Sequence, residues 1–144
     1  MKADAGTEAA VLATLNLFNE SYAKRDARRL MDLFVTDPDV LIIGTGADER
    51  RMGSADIRAL AERDWTQSDA AMFDFQWTAV SSAGAVAWLA AEGVVRATGG
   101  GQEQVLPIRL TAVLEQRGDR WLFVQAHASL PARGQAEGQA WPTA

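Results

Sequence analysis

The stretch AVAWLAAEGVVRATGGGQEQVLPIRLTAVLEQRGDRWLFVQAHASL, residues 85–130, decides the fold. Apolar and polar residues alternate along much of it, as in strands with one buried face. Gly99-Gly100-Gly101 and Gly118-Asp119 divide it into strands over 85–98, 103–117 and 120–130, because glycine supplies the positive φ that tight hairpins require. Two successive antiparallel hairpins are therefore expected. A turn centred between Gly100 and Gly101 sets Glu92 opposite Arg109 and Trp88 opposite Val113. A similarly tight turn at Gly118-Asp119 sets Arg109 opposite His127 and Val113 opposite Phe123. Leu122, Val124, Ala126 and Ala128 then share the other face.

Upstream, Phe73, Phe75, Trp77 and Ala79 alternate with Asp74, Gln76 and Thr78, which predicts a further half-buried strand. Before Ser68 the period is helical. Thr7 is a plausible cap for a helix carrying Val11, Leu15, Phe18 and Tyr22 on one stripe and ending near Lys24. Asp26 opens a second helix over 27–34, stopped by Asp37-Pro38-Asp39. A short strand is expected at 40–44, a loop at 44–53, and a third helix from a Ser54 cap through Trp65. Helices first and an antiparallel meander afterwards make an α+β pattern, with helices covering one sheet face. The chain reads as a single domain over 7–131 with a flexible C-terminal tail over 132–144, rich in Gly, Gln and Ala.

With 144 residues and a net charge of -5, one ordinary domain is expected, and nucleic acid and anionic membrane are disfavoured as partners because both call for basic patches. Zero cysteines and one histidine remove thiolate nucleophiles, disulfides and multi-histidine metal sites. No metal and no cofactor are expected. The first six residues lack the basic and apolar regions of a signal peptide, and no apolar run approaches the roughly 20 residues that span a bilayer, so cytoplasmic residence is expected.

The run 21–34, followed by Ala87-Trp88-Leu89-Ala90-Ala91-Glu92, Arg109-Leu110-Thr111, Trp121 and His127-Ala128-Ser129, resembles the nuclear transport factor 2-like superfamily, and within it the SnoaL-like branch. The stretch from Gly118-Asp119-Arg120-Trp121 to His127-Ala128-Ser129 is also similar to the association domain of calcium/calmodulin-dependent kinase II. The resemblance implies a cone-shaped α+β barrel, N-terminal helices packed on a curved antiparallel sheet, and a homodimer. Its members include isomerases, polyketide cyclases, binding proteins and assembly modules, so fold underdetermines function. In the isomerases of the superfamily, a tyrosine, an aspartate base and a second acid do the chemistry. An ungapped reading places these on Phe18, Ile42 and Leu110 or Thr111, none of which carries the needed groups. Tyr22, one turn beyond Phe18, is the nearby substitute.

The candidate site is built from Glu92, Arg109 and His127 on one sheet face, with Trp88 beside them and Tyr22 and Trp65 at the cavity. Arg109 would offer its planar fork to a carbonyl or anion, Glu92 would orient it, and His127 would exchange a proton near neutral pH. The plainer alternative is a cross-strand ion pair. The expected function is binding of a small apolar or carbonyl-bearing ligand in a cone-shaped pocket. One alternative is a metal-independent isomerase or cyclase with His127 as general acid or base, and another is a dimeric association module with the sheet face buried against a second subunit.

Overall fold

The computed structural model describes residues 1–143; Ala144, the last residue of the expected tail, lies outside the described residues. Among the described residues, three helices, α1 (Ala5–Ala23), α2 (Ala27–Met31) and α3 (Ser54–Thr66), pack on a sheet of six strands. The strands are β1 (Leu41–Ile43), β2 (Arg50–Met52), β3 (Ala70–Ala83), β4 (Val86–Gly99), β5 (Gln102–Arg117) and β6 (Arg120–Ser129), in spatial order β2-β1-β6-β5-β4-β3. The α+β class and the N-terminal helical layer are as the sequence implies. The sheet is open and mixed, since β1 runs parallel to β6 with Ile42 beside Ala126. No helix among the described residues is long and apolar enough to cross a membrane.

The helices differ at their ends for local reasons. α1 begins earlier than expected because Asp4, not Thr7, is its cap and accepts the Thr7 amide at 2.8 Å. α2 stops at Met31 because the next residues join the sheet: Phe123 donates its amide to Leu33 and accepts that of Val35. Tertiary pairing thus overrides the helical period that ran on to Phe34. Ser54 is the first residue of α3, not its cap; Gly53, at φ 84°, occupies that position without a side-chain bond. The expected loop at 44–53 contains β2, paired antiparallel with β1 so that Arg51 lies opposite Ile42.

The β4–β5 register is as expected, with Glu92 opposite Arg109 and Trp88 opposite Val113. Gly100 and Gly101 both adopt positive φ in the two-residue turn between Gly99 and Gln102. The β5–β6 register is different. The turn sets Arg117 opposite Arg120, and a bulge between Val113 and Leu114 then advances β6 by one residue. Arg109 therefore faces Ser129, His127 faces Thr111, and Phe123 faces Leu114 instead of Val113. The extra residue inverts the alternation, so Phe123 and Ala126 both point towards the helices. The core forms there, from Val11 and Leu15 of α1, Leu33 to Val35, and Leu89, Ala91, Ala112, Leu114 and Phe123 of the sheet.

Candidate functional site

Between the helices and the sheet the core does not close completely, and a cavity of about 330 Å³ remains. Phe18, Phe34, Phe73, Phe75, Leu110 and Phe123 are among its apolar walls. These follow from the sequence periods, since α1 brings Phe18 and Tyr22 to one stripe while β3 brings Phe73 and Phe75 to the facing pleat. Thr45, Gln67 and Leu106 line the cavity and are also exposed, which marks the open end. Such a chamber, apolar with a few convergent polar groups, suits a small organic molecule.

The polar groups gather around α3. Tyr22 donates its hydroxyl to Asp64 Oδ2 at 3.1 Å, and both residues line the cavity. The Tyr22 ring is held by Phe73, Trp65 and Phe18, with centroids at 4.9, 5.7 and 6.2 Å. Arg25, at φ 56°, reaches from the end of α1 to the Trp65 carbonyl at 2.6 Å and to that of Ser68, tying α1 to α3 where the Tyr22–Asp64 pair forms. Arg63 binds Glu49 at 2.7 Å and Asp48 at 2.9 Å, so the acidic turn after β1 is pinned to α3 at the cavity rim. Among the described residues no cluster of three or more metal-ligating acidic or imidazole groups occurs.

Burial raises the Asp64 carboxyl above the ordinary carboxylate range, and neighbouring Glu49 adds to the rise, against the Tyr22 hydrogen bond and the charges of Arg63 and Arg51. Burial and the Asp64 charge raise the Tyr22 phenol in turn, so it stays a protonated donor at neutral pH. Folded protein holds the Asp64 proton more tightly than unfolded chain. Its contribution to stability is therefore complete below the unfolded carboxylate pKa and is lost as pH rises through the folded one. Asp64→Asn cannot ionise, so its melting temperature relative to the parent should climb as pH is raised from about 3 to about 7. A difference in thermal unfolding that stays flat across that range would show that the carboxyl is not destabilised by burial.

The residues singled out in the sequence divide between two faces. Tyr22 lines the cavity, whereas Trp65, expected there too, is not among its walls and is buried in the adjoining cluster with Tyr22, Leu30 and Ala61. Glu92, Arg109 and His127 are brought together on the opposite, outer face of the sheet, where all three are exposed. Trp88, half-buried, and His127 line a shallow outer depression with Thr111, Val113 and Gln125. The expected ion pair between Glu92 and Arg109 does not form; Arg109 instead donates to the Leu130 carbonyl at 3.3 Å. The isomerase positions Phe18, Ile42 and Leu110 do line the cavity, all three apolar. Sequence reasoning missed Asp64 because Asp64 and Tyr22 lie 42 residues apart, and only the packing of α3 beside α1 joins them. Its available signal was an acidic residue next to Trp65 on the inward stripe of α3.

The sequence profile of the SnoaL-like domain family matches residues 11–133. No curated protein matches the chain. Among solved structures, a nuclear transport factor 2-like superfamily protein from Salmonella enterica serovar Typhimurium superposes with a TM-score of 0.82 at 19% identity, over 96% of this chain and 100% of the other. A protein from Streptomyces avermitilis, named as a candidate dehydratase of the same superfamily, gives 0.80 at 18% identity over 86% and 96%. One from Xanthomonas campestris, named as a candidate calcium/calmodulin-dependent protein kinase II association domain, gives 0.72 at 23% over 85% and 86%. At these identities the likeness is one of fold.

Proposed function

Because the chain belongs to the SnoaL-like domain family, we propose that it binds a small, largely apolar molecule bearing a carbonyl or hydroxyl group in the cavity between helices and sheet. The observation that carries this is the cavity itself, about 330 Å³ of mostly apolar wall with the half-buried Tyr22–Asp64 pair as its polar anchor. The apolar body of the ligand would fill the space between Phe18, Phe75 and Leu110, and its oxygen would meet Asp64 and the Tyr22 hydroxyl. The outer-face residues Trp88, Glu92, Arg109 and His127 take no part in this binding.

Prodan, a fluorescent naphthyl ketone whose emission reports polarity, is a suitable probe. It should bind with a blue-shifted emission, and Ala128→Phe, which fills the cavity from its sheet wall, should abolish the shift while leaving the protein folded in thermal unfolding. A fully folded Ala128→Phe protein that binds prodan as tightly as the parent would sink the assignment.

Proton-transfer catalysis is the second reading, and the raised Asp64 carboxyl hydrogen-bonded to Tyr22 favours it. Asp64 would take a proton from carbon beside the ligand carbonyl and return it, while the Tyr22 hydroxyl would turn from the carboxylate to donate to the developing oxyanion. Deuterium should then enter that position of an enolisable ketone in D2O with the parent and not with Asp64→Asn. Equal incorporation by both proteins would remove Asp64 from the chemistry.

A further inference from the structure

We propose that the C-terminal segment, residues 132–143, is a lid that closes over the occupied cavity and that Trp141 is the side chain covering the bound molecule. The inference rests on the reading that the cavity holds a ligand. Its root is at the right place: Leu130 lines the cavity, and among the described residues none beyond it does. Leu130 is also fixed, since its carbonyl accepts from Arg109 at 3.3 Å, so motion can begin just beyond it at Pro131. The ladder has a reason to end there. Extending the Arg109–Ser129 register would set Pro131 against Pro107, and neither has an N–H to donate.

Beyond the hinge the segment is organised yet independent of the body. Thr143 returns its amide to the Gly134 carbonyl at 2.8 Å, and the Gln135 side-chain amide donates to the carbonyls of Gln139 and Ala140. Among the described residues, every hydrogen bond of 132–143 closes within the segment. A unit tied only to itself can swing without breaking a bond to the sheet. It also carries the most exposed aromatic of the chain, Trp141, at 82% exposure. An indole left in water gains free energy from any apolar surface it covers.

That surface lies within reach. Ten residues separate Leu130 from Trp141, and with the Gly134–Thr143 bond kept the arm from Leu130 to Gly134 alone can span about 13 Å, more than the width of so small a cavity. At the open end, Leu106 lines the cavity and is itself 39% exposed, an apolar patch at the mouth. A ligand that fills the chamber would extend this apolar patch, giving Trp141 more to cover in the bound state than in the empty one. Closure would thus be coupled to occupancy and would be expressed chiefly in the rate of escape.

The test uses the full chain with prodan. In stopped-flow displacement, Trp141→Ala should release the probe about tenfold faster than the parent, with Trp141→Phe close to the parent, while association rates stay the same. Because Trp141 is exposed, neither variant should alter thermal unfolding. In parallel, amides of 132–143 should gain protection from hydrogen exchange when prodan saturates the cavity. Normal prodan binding with identical release from the parent and Trp141→Ala, or with no added protection of the segment, overturns the lid alone. Absence of prodan binding by the parent overturns the lid together with the ligand reading on which it stands.

Discussion

Replacing Phe123 with alanine should cost about 3–5 kcal/mol of folding free energy, read as a lowered urea midpoint. Phe123 is 2% exposed and sits where three parts of the molecule meet. Its ring packs against Phe34 and Phe18, with centroids at 5.3 and 5.8 Å, and its main chain exchanges hydrogen bonds with Leu33 and Val35. Alanine keeps the main-chain bonds and loses the ring contacts, leaving a void that merges with the neighbouring cavity. Domains of this size are stable by about 5–15 kcal/mol, so the loss is a large share of the total. A change below about 1 kcal/mol would mean that the aromatic cluster contributes little to holding the helices on the sheet.

Gly93→Ala should be nearly as damaging, for the opposite reason. Gly93 pairs with Phe75 just where β3 bulges before Trp77. A Cβ at this position would fall onto the Asp74 carbonyl oxygen and lie 2.7 Å from Phe75 Cα. Both are main-chain atoms of the adjacent strand, so no side-chain rotation relieves the clash and the two strands must part. Overpacking of this kind costs typically about 1–3 kcal/mol, and the upper end is expected because the yielding atoms belong to a ladder. Unfolding at the parent's midpoint would show that the bulge can shift freely, and would make the close approach of β3 and β4 incidental.

The contrast between the two hairpins explains what could be read from the chain. Glu92 and Arg109 were correctly paired because Gly100 and Gly101 define the turn and the ladder between them runs without interruption. The same logic failed for Arg109 and His127. The turn offsets the ladder by one residue and a bulge adds one more, so Arg109 meets Ser129 while His127 keeps the face of Arg109, and the bulge leaves no mark in Leu122, Phe123, Val124 and Gln125, all compatible with either face. The facing of the candidate site was equally invisible, because alternation separates two faces without saying which one the helices cover. Arg109, expected to hold a ligand, holds the Leu130 carbonyl on the outer side, while the cavity takes its polar groups from α1 and α3.

By itself the sequence determined the three helices and every strand but β2, the two glycine turns, the β4–β5 register and the resemblance to the SnoaL-like family, because turn chemistry and side-chain period act over a few neighbouring residues. Tertiary structure alone decided that β1 joins β6 in parallel, that the sheet is mixed and open, that its inner face carries Leu110 and Ala128, and that Tyr22 meets Asp64. Those outcomes depend on segments distant in the chain competing to bury the same apolar surface, and no local pattern records which of them wins.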